Sequence, residues 1–184
     1  ICEFRTVENY QYNTLFFPDE SNQLTIKNSV ENRINMYFIK EISQSADCGR
    51  ATLGGIGTSG DIFILKRCTA PGDYTISHEM GHFFGLKHTF ENPGSQLVDG
   101  TNCETTGDEI CDTPADPYID GVSIDAYVIR SNCRFISTDK DANGDFYSPH
   151  VGNIMSYYPC ACEFTDGQYL RMVETYLASN PKNW

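Results

Sequence analysis

Long apolar runs are absent. The longest, Met36 to Ile39 and Ile62 to Leu65, fall far short of the roughly 20 residues that cross a bilayer, so no membrane span is expected. Basic residues are scarce: 13 Lys and Arg stand against 25 Asp and Glu, a formal net charge of −12. With no Lys/Arg cluster to grip a phosphate backbone, a nucleic-acid partner is excluded. Ile1 to Tyr10 lacks the basic start and apolar run of a secretory leader, so the chain reads as a processed or trimmed form. Internal repeats, CxxC pairs and a GK[ST] phosphate loop are also missing.

What is present describes a folded globule. In 184 residues, 40% are apolar and 12% aromatic, enough for one domain with its own core rather than a disordered chain. Eight cysteines, an even number, point to disulfides and hence to an extracellular, secreted protein. A structural zinc site is the competing reading, but Cys160 and Cys162 form only a lone CxC. Eight cysteines allow 105 pairings. Connectivity stays open, except that Cys160 and Cys162 are expected to have different partners.

Residues 1 to 45 read as strand-like pieces between polar turns, with Ile34 to Ile39 the clearest strand. The Gly-rich stretch 47 to 60 is expected to be a flexible connector. A helix is predicted from Tyr74 to Phe84, with Asp73 capping its start and Gly85 ending it at positive φ. Its apolar Ile76, Met80, Phe83 and Phe84 recur at helical spacing. Residues 90 to 150 show no periodicity, and a loop of that length needs disulfides or metal ions to hold a shape. A final helix opens on the capping box of Thr165 and Gln168. Its stripe of Tyr169, Met172, Val173, Tyr176 and Leu177 is expected to pack on a core.

Chemistry concentrates between His78 and His88, which holds three of the four histidines. On a helix His78 and His82 lie one turn apart on the same face, so both imidazoles can bind one ion. Gly85 then breaks the helix and lets the chain turn so that His88 completes the set. Three protein ligands leave one tetrahedral position open, as in catalytic zinc sites. Glu79 points about 100° around the helix from His78, beside the ion rather than on it. That suits a general base for a metal-activated water.

The pattern HExxHxxGxxH resembles the signature of metzincin metalloproteases. Gly81 to Phe90, Cys111-Asp112-Thr113-Pro114 and Asn153-Ile154-Met155-Ser156-Tyr157-Tyr158 narrow the resemblance to the pappalysin family. It implies His78, His82 and His88 as zinc ligands, Glu79 as general base and acid, and Met155 as an apolar floor under the metal. It also implies Tyr157 as a stabiliser of the tetrahedral intermediate. By the same analogy Ile62, Phe63, Ile64 and Leu65, up to Lys66, would form the edge strand that pairs with an extended, antiparallel substrate.

Two acidic segments are candidate calcium sites. Asp139, Asp141, Asn143 and Asp145 with Gly144 match the first half of an EF-hand loop, although His150 stands where the bidentate glutamate would be. Asp99, Asp108, Glu109 and Asp112 with Thr113 form a second cluster, and the resemblance implies calcium near the cleft. His150 itself reads as a surface histidine. Two departures from the family pattern stand out. No amphipathic helix precedes Arg33, so the chain is expected to begin partway into the fold. Tyr158 to Ala161 separate the methionine turn from Glu163, so a preference for Arg or Lys is not supported.

The expectation is therefore an α/β (α+β) zincin-like metzincin catalytic domain over residues 1–184. Residues 1–88 would give a small twisted sheet and an active-site helix. Residues 89–184 would give an irregular, disulfide-bonded C-terminal half with the methionine turn and a terminal helix. The expected function is a secreted, monomeric, zinc-dependent endopeptidase acting on protein or peptide substrates, with Zn2+ and Ca2+ as cofactors. The alternatives are a catalytically silent secreted binding module of the same fold and a metal carrier.

Overall fold

The computed structural model describes residues 5–31, 33–43, 47–58 and 60–179. Its upper half is built around β5 (Ile62–Leu65). This strand pairs in parallel with β2 (Met36–Ile39) on one side and antiparallel with β4 (Gly49–Ala51) on the other. All four β5 residues are buried, as expected for a strand covered on both faces. Phe63 and Leu65 join the cluster of Leu15, Leu24, Ile39 and Ile42. Ile62 and Ile64 face the other way, onto Ile56 and Phe83.

Both a strand and a helix precede that sheet. β1 (Thr14–Leu15) pairs in parallel with β3 (Glu41–Ile42), and α1 (Asp19–Asn28) follows β1. A helix does precede Arg33, though not the amphipathic one whose absence was expected. Only Ser21 and Leu24 of α1 are buried, so it carries no apolar stripe for a periodicity reading to find. The connector expected over 47 to 60 is corrected, because it contains β4. Three residues, one of them glycine, are too few to show a strand period, and the strand is pinned by the Cys48–Cys68 disulfide.

The second helix, α2 (Thr75–Phe83), lies against β4 and β5. The Asp73 carboxylate accepts the Thr75 N–H at 2.8 Å, and Gly85 has φ +90°. Phe83 is fully buried, whereas Ile76, expected on the same face, is exposed.

The lower half has little regular structure. A ribbon of β6 (Val128–Ile129) and β7 (Arg134–Phe135) packs beside Phe90, Tyr118, Tyr127 and Tyr158. Disulfides Cys103–Cys111 and Cys133–Cys160 tie the loops. Cys162 is exposed and unbridged among the described residues; Cys2 lies outside them.

The chain ends in α3 (Asp166–Ala178) with the expected capping box. Its stripe is corrected: Tyr169, Val173 and Leu177 are all more than half exposed, and only Met172 and Tyr176 pack on core clusters. Leu65→Ala should therefore cost about 2–5 kcal/mol, and Leu177→Ala no more than about 0.5 kcal/mol, in urea denaturation. Equal losses would contradict this placement of the core.

Candidate active site

α2 presents His78 and His82 on one face, and the Gly85 turn brings His88 back toward them. The turn is closed by Gly85 N–H to His82 O at 2.8 Å and Leu86 N–H to Gly81 O at 2.9 Å. At φ +90° a side chain would be strained, and a Cβ on Gly85 would also sit 2.7 Å from Thr175 Oγ1 of α3.

The ring orientations are set from behind. His78 Nδ1 donates to Ile154 O at 2.7 Å, and His82 Nδ1 to Leu86 O at 2.7 Å. A carbonyl only accepts, so Nδ1 carries the proton and Nε2 is left as a lone pair. His88 Nε2 lies 3.2 Å from His78 Nε2 and 3.0 Å from His82 Nε2. Tetrahedral ligands at zinc–nitrogen distances of ~2.0–2.1 Å stand roughly 3.3 Å apart, so the three atoms already have nearly that spacing. Among the described residues this is the only set of three His, Cys, Asp or Glu side chains whose ligand atoms lie within 4.8 Å of one another.

Burial holds all three imidazoles below their ordinary pKa, with His78 lowered to about 4. They are neutral near pH 7, the protonation state a metal requires. Glu79 is buried on the neighbouring side of α2, and desolvation, reinforced by Asp47 and opposed by Arg50, pushes its carboxyl up to about 7. Its position depends on Gly49 of β4. A Cβ there would stand 2.6 Å from Glu79 Cγ and 2.7 Å from Oε1, closer than real contacts allow.

The cleft has a volume of about 490 Å3. Residues 47 to 51 form one wall, and Tyr74, Thr75, the histidines and Tyr157 the other. Tyr157 packs on the His88 ring at 4.9 Å and the His78 ring at 5.7 Å, and burial raises its pKa. Met155 is fully buried beneath the helix with Leu86, Ile110 and Ile154, its sulfur against Gly81.

Ile62 to Leu65 do not reach the cleft as an edge strand. β5 is the central strand of its sheet, with both sides of its backbone paired, so the edge strand beside the cleft is β4. The candidate calcium residues divide. Asp141 spends its carboxylate on the N–H groups of Val98, Asn143 and Asp145 at 2.8–2.9 Å. No three carboxylates of the 139 to 145 loop converge. Asp112 accepts from Thr165 Oγ1 and Gly167 N at 2.8 and 2.7 Å, holding the start of α3 rather than an ion. Thr113 and Gln168 neighbour the Asp108 carboxyl, but Asp108 Oδ2 and Thr113 Oγ1 are buried without a well-formed hydrogen bond among the described residues. So is Gln96 Oε1, which the sequence reading missed. Gln96 Nε2 donates to Thr113 O at 3.2 Å, and Gly107 abuts Gln96 Oε1, so the three lie together. His150 pairs with Glu163 at 2.9 Å.

Asp116 was also missed. It accepts from Thr89 Oγ1 and Tyr158 OH, each at 2.7 Å, and from Tyr118 N at 3.1 Å. It thereby fixes the neighbours of His88 and Tyr157.

An extracellular metalloprotease of Colletotrichum graminicola is 29% identical over 171 residues, covering 83% of this chain and 54% of that protein. Another from Arthroderma benhamiae is 30% identical over 158 residues, covering 79% and 51%. The chain thus spans about half the length of these curated relatives. A solved structure of mirolysin in complex with compound 9 superposes with a TM-score of 0.52 at 19% identity, covering 92% of this chain and 63% of that one. It shows the same fold. The profile of the M43 peptidases, described as pregnancy-associated plasma protein-A, matches residues 59–177, and the chain belongs to that family, the pappalysins.

Proposed function

We propose that the chain is the catalytic part of a secreted zinc endopeptidase that hydrolyses extended polypeptides. The observation that carries this reading is the convergence of three neutral imidazoles beside a buried glutamate. When bound, zinc supplies a Lewis acid that polarises a carbonyl and lowers the pKa of water toward about 7. The residues do the rest. Glu79 takes a proton from the attacking water and delivers it to the leaving amine. Tyr157 donates its hydroxyl to the oxyanion that develops on the substrate. The free edge of β4 offers backbone groups to an extended chain, giving affinity with little sequence preference. The extracellular relatives and the disulfides support secretion, and the chain acts as a monomer.

The buried glutamate favours an enzyme over a silent binding module, since a binder has no use for a base beside an open metal position. Glu79→Gln should keep one zinc and lose about 10²–10⁴-fold in peptide cleavage. Turnover at the wild-type rate would remove Glu79 from its role, and partner binding indifferent to the change would favour the module.

Gly49→Ala should keep zinc but drive Glu79 out of line, lowering kcat by about 100-fold. Full activity in zinc-loaded Gly49→Ala would show that the contact is not needed.

The oxygens of Gln96, Asp108 and Thr113 fit calcium, a hard cation that takes carboxylate, amide and hydroxyl ligands. Burial pushes the Asp108 carboxyl up to about 7 against the opposing hydrogen bonds and the charge of Arg171, so a cation there would offset the remaining desolvation. Calcium at 100 times its Kd should stabilise the protein by about 2.7 kcal/mol, read as a rise in Tm. Asp108→Asn should abolish the rise; a rise that persists would move the ion elsewhere.

A further inference from the structure

Two amide side chains are fully buried between the methionine turn and α3: Asn153 and Gln168. They bond to each other, and Gln168 also reaches the Asp108 carboxyl. Asn153 Nδ2 donates to Gln168 Oε1 at 2.9 Å, and Gln168 Nε2 donates to Asn153 Oδ1 at 3.1 Å. Burying two amides costs more than burying two apolar side chains of the same size, so a core-filling role leaves the choice unexplained.

The explanation lies one hydrogen bond further on. Asn153 Oδ1 also accepts the Met155 N–H at 2.8 Å. That N–H belongs to the same peptide group as the Ile154 carbonyl, which accepts from His78 Nδ1 at 2.7 Å. The preceding peptide is held too, by Ile154 N–H to Glu163 O at 2.8 Å. One peptide plane is therefore gripped at its N–H end by the amide pair and presented at its C=O end to an imidazole. Donation at one end polarises the other, which strengthens the carbonyl as an acceptor and His78 Nε2 as a donor to a metal.

We infer that Asn153 and Gln168 form a positioning pair that aims the Ile154 carbonyl at His78 and so sets the metal affinity of the three-histidine site. The inference rests on the metal reading above. It assigns a role to the first turn of a helix remote from the cleft. Gln168 has a second duty, accepting Thr165 N–H at 3.0 Å in the capping box, so helix capping must be separated from positioning.

The test measures zinc affinity by competition with a chromophoric chelator, and the visible spectrum of the cobalt form, on the whole chain. Gln168→Met fills the same space without the amide. It should raise the zinc Kd about 10–100-fold, as loss of outer hydrogen-bond partners does elsewhere, and shift the cobalt bands. Thr165→Ala removes the hydroxyl cap and leaves the amide pair. It should lower the unfolding midpoint with zinc Kd and cobalt spectrum unchanged. Gln168→Glu keeps size and acceptor but sets a second oxygen against Asn153 Oδ1, and should weaken zinc as Gln168→Met does. In the wild type, zinc should slow hydrogen exchange of both side-chain amides, a readout that needs no variant. Unchanged zinc affinity in either Gln168 variant, an equal loss in Thr165→Ala, or exchange indifferent to zinc would overturn the pair. A wild type that binds no zinc would instead overturn the metal site.

Discussion

Three neutral imidazoles converge with His88 Nε2 at 3.2 and 3.0 Å from the Nε2 atoms of His78 and His82, a spacing at which a cation can take a lone pair from each. The surrounding structure can be read as what holds them there. His78 and His82 are each anchored through Nδ1 to a backbone carbonyl, which removes the rotation that would let the rings part. His88 is stacked on Phe90 with the planes 10° apart. A cluster so arranged is preorganised: the protein bears the cost of ordering its ligands during folding, and a metal collects the benefit on binding.

Holding the cluster requires close approach, and there the fold admits no side chain. Gly49 lets β4 lie against Glu79, and Gly85 turns the chain while α3 packs over it. Each glycine also brings two elements together. Gly49 puts the edge of the upper sheet within reach of the base, and Gly85 sets the lower helix against the loop that delivers His88. The cleft thus lies along a seam between the two halves, with His78 of the upper one anchored by the Ile154 carbonyl of the lower.

Legibility in the sequence follows range. His78, Glu79, His82 and His88 could be placed because helix geometry and a glycine break are local, and Thr165 with Gln168 for the same reason. β4 could not, since three residues carry no period, and the open edge was consequently given to the more apolar β5. The stripe on α3 is genuine, but a period says that a face exists and not what covers it. The duties of Asp112 and Gln168 depend on partners 53 and 15 positions away, brought close only by the fold. Gln96 offered no signal at all, being an ordinary polar residue in a polar loop.

Acidity is the remaining feature of the composition, and the lower half explains part of it. Where ladders are few, backbone N–H groups need other acceptors, and carboxylates supply them. Asp112 serves the start of α3, Asp141 three N–H groups of two loops, and Asp116 one N–H and two hydroxyls. These side chains do for an irregular segment what strand pairing does for a sheet. Asp116 shows the consequence for function. Burial raises its pKa and its three partners are all donors, so moving Thr89 leaves Oδ2 unsatisfied, and moving Tyr118 and Tyr158 together leaves Oδ1 so. Two of those partners, Thr89 and Tyr158, adjoin His88 and Tyr157. The loop scaffold and the reacting groups are therefore held by the same hydrogen bonds, and the lower half cannot loosen without loosening the site.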